Sequence, residues 1–210
     1  MPYPMYANTG KYNWLLGNPM MSRRIGLIIP RNIAPVPTPC PTCVCCSTDQ
    51  ITKHDAKAIV LCCMDFRLRD NMGCQLNLKG YRNDYDEVIA AGASLGYNGL
   101  LSYNQDPSVP WTTYLDQHIS LAYDLHEISQ IIIIDHEECG AYAKQYPKAN
   151  PEEIQIHHTE NIIACGESLW KKFNPDPETA TTNPIKNLEI IGYIISIDGC
   201  KLTQLYYKNS

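Results

Sequence analysis

The sequence predicts an α/β fold: a three-layer, mostly parallel β-sheet flanked by helices, with a C-terminal antiparallel hairpin and an extended N-terminal arm. Three observations predict it. Residues 58–64 (AIVLCCM) and 130–135 (QIIIID) are continuous apolar runs of strand length, the pattern of strands covered on both faces. Segments with helical spacing stand between the strand-like runs, the alternation of βαβ units. Asp198-Gly199 separates two further apolar segments, a hairpin-turn signal.

The elements follow in order. Residues 1–50 read as an extended Pro/Cys-rich arm, because Pro30, Pro35, Pro37, Pro39 and Pro41 forbid a regular helix or central strand. Residues 51–210 form the folded domain. After the strand at 58–64, residues 67–79 predict a helix stopped by Gly80. Residues 86–91 (DEVIAA) predict a strand, Gly92 opens a glycine-containing turn, and residues 97–110 read as a loop. Residues 111–128 carry Leu115, Ile119, Ala122 and Leu125 as a helical stripe ended by Ser129. A helix begins near Gly140. Asn150-Pro151-Glu152-Glu153 then combines a cap, a first-turn proline and an acid three residues on, opening a helix that runs to about Phe173. Residues 174–184 read as a loop, and 188–197 and 201–207 as the strands of the hairpin.

Composition narrows the function classes. At 210 residues the chain suits one ordinary domain with an extension, large enough to bury a core without disulfide staples. A net charge of −5 without a basic stripe argues against nucleic acid, since phosphate neutralisation needs clustered Lys and Arg. No apolar run reaches membrane-span length, and no charged n-region precedes an apolar h-region, so the expectation is a cytoplasmic protein. Ten cysteines without the spacing of a secreted disulfide framework fit intracellular thiols plus a metal.

Two predicted strands end in metal-ligand residues. One gives Cys63-Met64-Asp65-Phe66-Arg67, the other His136-Glu137-Glu138-Cys139-Gly140. The carboxyl ends of parallel strands share one edge, so Cys63, His136 and Cys139 can converge. Two thiolates and an imidazole are a soft tetrahedral donor set that selects Zn2+ and leaves a fourth position for water or a carboxylate. Asp65 is placed either to orient a zinc-bound hydroxide or to bind the metal as fourth ligand, and Arg67 can hold it in a bidentate pair. The competing reading of a strand cysteine is a small buried apolar residue, which suits Cys62 on the opposite face.

These motifs resemble the β-class carbonic anhydrases, whose signature is Cys-x-Asp-x-Arg after one strand and His-x-x-Cys-Gly after a later one. Ala91-Gly92-Ala93-Ser94 looks like the family's glycine-containing turn, and the resemblance covers about residues 55–207. It implies one zinc per subunit held by Cys63, His136 and Cys139. It also implies a catalytic Asp65–Arg67 dyad, hydration of carbon dioxide to bicarbonate by zinc-bound hydroxide, and a homodimer or multiple of dimers. The chain departs from the pattern at Phe66, usually serine, at Asp135, usually glycine, and at Ala90 and Ala93, usually arginine and asparagine. Those departures and the arm motivate a second reading, a catalytically weak or inactive zinc-bearing structural or assembly protein whose arm binds a neighbouring subunit or larger particle. Hydrolysis of carbon disulfide or carbonyl sulfide is a lesser alternative.

Other signals weigh less. Cys63-x5-Arg69 matches a cysteine-phosphatase loop but lacks the glycines such a loop needs, and leaves His136 and Cys139 unused. Cys40, Cys43, Cys45 and Cys46 suit a second metal, a redox pair, an intersubunit disulfide or an unstructured thiol-rich arm. His157 and His158 read as exposed polar residues, and His118 and His126 as surface or core-edge positions.

Overall fold

The computed structural model describes residues 54–100, 110–176 and 184–210. The arm expected over residues 1–50, with Cys40, Cys43, Cys45 and Cys46, lies outside the described residues, as do most of the 97–110 loop and the middle of the 174–184 loop.

The described elements run β1 (Ala58–Cys62), α1 (Arg69–Leu78), β2 (Tyr85–Ile89), α2 (Ser94–Tyr97), α3 (Trp111–His126), β3 (Gln130–His136), α4 (Gly140–Gln145), α5 (Pro151–Phe173), β4 (Glu189–Ile195) and β5 (Leu202–Asn209). They build one five-stranded sheet in the order β2-β1-β3-β4-β5. All neighbours are parallel except β4 and β5, which pair antiparallel. No helix among the described residues is long and apolar enough to cross a membrane.

Why the central strands lack polar alternation is visible in what covers them. On one face Ile59, Leu61, Ile131, Ile133 and Ile190 pack with Leu115 and Ile119 of α3 and with Ile162, Cys165 and Leu169 of α5. On the other, Val60, Cys62, Ile132, Ile134 and Ile195 pack with Leu68, Met72 and Leu76 around α1. Both faces are therefore dry, so every position of β1 and β3 is buried. Gly192 lets α5 lie close on β4, because a Cβ there would collide with Ile162.

The helices depart from expectation in small, explicable ways. The segment expected to start a helix at 67 first makes a 3-10 turn over Phe66–Leu68, capped by Asp65, before α1 begins. The short helix α2 was not expected; it occupies the turn after Gly92 and the first position of the expected loop. Helix α3 ends earlier than Ser129, at a left-handed Glu127. Leu125 is exposed rather than part of the stripe, since the 3.6-residue period through Leu115, Ile119 and Ala122 continues at His126. Helix α5 opens with the expected cap: Asn150 Oδ1 accepts from the Glu153 N–H at 2.9 Å and Glu153 Oε2 from the Asn150 N–H at 2.8 Å.

Candidate metal centre

β1 and β3 pair in register, with Cys62 opposite Ile134, so both strands finish at the same sheet edge. Cys63 follows β1 directly and His136 is the last residue of β3. After β3 the chain turns through Glu138, whose φ is 53°, and Cys139 caps α4. The turn sets the two sulfurs 3.9 Å apart. The sulfurs of Cys63 and Cys139 and a ring nitrogen of His136 all lie within 4.8 Å of one another, and all three residues are buried.

The donor set is oriented as a cation would need it. His136 Nδ1 donates to the Glu137 carbonyl at 2.8 Å, which fixes the ring and leaves Nε2 to face the sulfurs. Nε2 is buried and has no hydrogen-bond partner among the described residues. A buried, unpaired imidazole nitrogen is costly unless something occupies its lone pair. Gly92 N–H donates to Cys63 Sγ at 3.3 Å, from a turn in which Gly92 has φ 71° and Ala93 φ 41°. The hydrogen bond shared with Cys139, together with His136 and the Gly92 N–H, outweighs burial and holds the Cys63 thiol well below its ordinary value. Cys139 is pushed up in return, because the pair shares one proton. A soft anionic sulfur, a second thiol and an imidazole lone pair fit a zinc-class cation, which binds by displacing such protons.

Asp65 and Arg67 stand at the edge of this cluster. Arg67 grips both carboxylate oxygens, Nη2 to Oδ2 at 2.7 Å and Nε to Oδ1 at 3.0 Å, while its own N–H donates to Oδ1 at 3.0 Å. That grip, led by the guanidinium hydrogen bonds, lowers the Asp65 carboxyl to about 2. Asp65 Oδ2 lies 3.8 Å from His136 Nε2, near the donor set without joining it. Arg67 Nη2 also donates to the Glu138 carbonyl at 3.2 Å, tying the segment after β1 to the one after β3.

Two cavities meet the cluster. One of about 10 Å³, lined by Cys63, Asp65, Leu68 and His136 among others, has room for about one water. The other, of about 520 Å³, reaches Cys139 from between α4 and α5 and is lined by Ile154, Gln155 and His158.

Sequence reasoning missed the network behind His136. Asp135 is buried, and its carboxylate accepts from the Ser94 N–H (3.0 Å), Ser94 Oγ (2.7 Å), Tyr142 OH (2.6 Å) and His158 Nδ1 (2.9 Å). His158, expected to be exposed, is therefore a core residue, while its neighbour His157 stacks on Tyr146 at the surface. The one available signal was an acid at the buried end of an apolar strand, which requires donors from somewhere. Cys62 does point away from the cluster, but it is not a bare apolar filler: its thiol meets Glu87 and Arg69, and burial pushes it up to about 12. Arg69 bonds the Cys63 carbonyl at 2.9 Å rather than lining a phosphate loop. His126 sits at the core edge against Asp86 at 2.7 Å, and His118 bonds the Tyr114 carbonyl on its own helix at 3.0 Å.

No protein-family model matches the chain. An uncharacterized protein of Rickettsia conorii is 33% identical over 156 residues, covering 74% of this chain and 75% of that protein. Another, from Rickettsia bellii, is 27% identical over 161 residues, covering 75% and 87%. Among solved structures, the β-carbonic anhydrase CafA of Aspergillus fumigatus is similar at 12% identity, covering 72% of this chain and 76% of that one, with a TM-score of 0.46.

Proposed function

Since the chain belongs to one family with the uncharacterized Rickettsia conorii protein, we propose for it a function read from its own residues: zinc-dependent hydration of carbon dioxide to bicarbonate. Cys63, His136 and Cys139 would hold the metal. The observation that carries this reading is the unpartnered, buried His136 Nε2 facing two sulfurs, with an arginine-clamped aspartate 3.8 Å away. Zinc in such a donor set supplies a Lewis acid that brings the pKa of a bound water to about 7.

The chain's own residues do the rest. Asp65 is held ionised by Arg67, so it is an acceptor at any pH near neutral. It takes a hydrogen bond from the attacking water and turns a lone pair toward the carbon. Arg67 fixes the direction of that acceptor through two parallel bonds and is a positioning residue. The engagement of both Asp65 oxygens by Arg67 supports an open fourth position over an Asp65-closed one. The 520 Å³ cavity beside Cys139 supports access for a small substrate.

A second reading is a zinc-bearing structural protein without turnover. The cavity on the Asp65 side favours it, since about 10 Å³ holds no more than one water. One experiment decides between them: zinc content and carbon dioxide hydration measured on the same sample. Zinc near one per chain with hydration above the uncatalysed rate supports the enzyme; zinc without hydration supports the structural protein; a zinc-free folded chain overturns both.

We also propose a homo-oligomer. Among the described residues β2 is an edge strand, and Ile89 at its end shares a cleft with Met64 and Tyr114, all three exposed large side chains. Four of the residues around them, Ala90, Ala91, Trp111 and Leu115, join Met64, Ile89 and Tyr114 in lining a mostly apolar cleft of about 380 Å³. An apolar patch next to a free strand edge supports pairing with a second copy. The arm of residues 1–50 is proposed to add to that contact, and the cytoplasm is the compartment that fits thiol ligands.

A further inference from the structure

Asp135 is the most heavily bonded buried carboxylate among the described residues, and the mechanism above makes no use of it. It stands directly before a proposed ligand, at the buried end of a core strand whose four preceding residues are all isoleucine. An ionised carboxylate can only accept, and burying one costs several kcal/mol unless donors saturate it. Four donors converge here from three separate elements: two from Ser94, one from Tyr142 of α4 and one from His158 of α5. Tyr142 remains a donor because burial, reinforced by the Asp135 charge, pushes its hydroxyl up.

Two of those elements adjoin the sulfurs: the Gly92–Ser94 turn supplies an N–H to Cys63, and α4 begins at Cys139. Ser94 follows the Gly92–Ala93 turn, and the Gly92 N–H is the one that reaches Cys63 Sγ. Ala93 is held at φ 41°, ψ −98°, a conformation strained for a non-glycine residue that persists only when its surroundings enforce it. The Asp135 bond to the very next N–H is one such constraint. Tyr142 lies in α4, the helix whose N-terminal cap residue is Cys139. The turn and α4 abut, since a Cβ on Gly92 would come within 3.0 Å of Ala141 Cβ. His158 braces the carboxylate from behind and lies tilted against Tyr142, ring centroids 3.6 Å apart.

We propose that Asp135 is a positioning residue for the metal centre: a buried clamp that locks the Gly92–Ser94 turn to α4, and so holds the Gly92 N–H on Cys63 and fixes the place of Cys139 at the start of that helix. The Gly92 N–H spreads the negative charge of a ligating Cys63 thiolate, and the placing of α4 against the turn sets the spacing of the two sulfurs. Loosening the clamp therefore weakens metal affinity and alters the ligand field. The inference rests on the metal reading above.

The test measures Zn2+ affinity by competition with a chromophoric chelator, and the thiolate-to-metal absorption of the Co2+-loaded protein. Asp135→Asn puts an amide N–H₂ against existing donors. It is expected to bind Zn2+ at least about 10-fold more weakly and to shift the Co2+ bands, the scale of effect found for groups that orient ligands. Tyr142→Phe keeps the ring and removes one donor; it moves both readouts the same way by a smaller factor, and it decides the matter if Asp135→Asn does not fold. Thermal unfolding of the metal-free proteins separates a clamp from mere core stability. Variants that melt lower yet bind Zn2+ within twofold of the parent, with unchanged Co2+ bands, overturn the proposal. A parent protein that takes up neither metal overturns the metal reading, and this inference with it, and is recognised because the parent titration itself is flat.

Discussion

Asp65 and Cys139 lie within one small site, yet single substitutions there should separate chemistry from metal holding. In Asp65→Asn the side chain keeps its shape but loses charge and one acceptor, and the Arg67 grip weakens. Zinc content is expected to hold while hydration falls by about 10²–10⁴, the usual contribution of a positioned proton acceptor. Loss of zinc in this variant would instead mark Asp65 as a ligand. Cys139→Ser removes a thiolate and should empty the site, lowering the melting temperature of zinc-supplemented protein toward that of the metal-free form, since metal affinity is linked to folding. Away from the site, Tyr81 offers a pH test. Its hydroxyl donates to Gln130 Oε1 at 2.8 Å, and burial raises it to about 12. A folded value above the unfolded one of about 10 means that its contribution is complete below pH 10 and lost as pH rises toward 12. Tyr81→Phe should cost about 1 kcal/mol at neutral pH and lose less stability than the parent between pH 10 and 12, read from urea midpoints. A parallel decline in both proteins would remove Tyr81 from the alkaline transition.

Helix α5 shows what local sequence can specify, because its start is written into four consecutive residues. Removing the cap with Asn150→Ala leaves the Glu153 N–H without its acceptor and should cost about 1 kcal/mol, with the zinc content of folded protein unchanged. A loss of zinc there would mean that α5 supports the centre more directly than through His158. The same contrast explains what was legible. β1 and β3 could be read because both sheet faces are covered, so the strands are apolar throughout. Their shared carboxyl edge then brought Cys63, His136 and Cys139 together on paper as it does in the fold. The short helix α2 was not legible: four residues give no period, and its first turn depends on a bond from Asp135, a partner 41 positions away. Nor was the burial of His158. Helical spacing marks which apolar residues face inward, but a histidine faces inward only if an acceptor waits there, and Asp135 comes from another element. Leu125 failed in the opposite sense: a stripe drawn by apolarity alone took Leu125, whereas the residue that turns inward is His126, about 100° further round the helix and bonded to Asp86.

At the scale of the whole molecule, β2 is the feature that most invites a partner, because among the described residues it stands at the edge of the sheet. Phe66 is 85% and Met64 66% exposed, immediately beside the proposed acid–arginine pair. Large apolar groups exposed next to an unpaired strand edge invite association, and a self-complementary patch closes as a two-fold dimer. Pairing there would cover Met64 and Ile89 and extend the sheet through β2. It would also place the partner's surface against the rim of the metal centre, drying the side on which Asp65 now sits partly open. Two substitutions then behave differently. Ile89→Asp sets a charge into the joint and should shift the protein to monomer in sedimentation at micromolar concentration. Phe66→Ser, the residue usual in the resembled family, removes bulk without adding charge and should leave association weakened by no more than about 1–3 kcal/mol. If the interface completes the site, Ile89→Asp lowers hydration while zinc content stays near one per chain, although Ile89 belongs to β2 and is absent from the donor set. Full activity in a monomeric Ile89→Asp protein would show that each chain carries a self-sufficient centre, and a parent that sediments as a monomer with its arm intact would remove the dimer altogether.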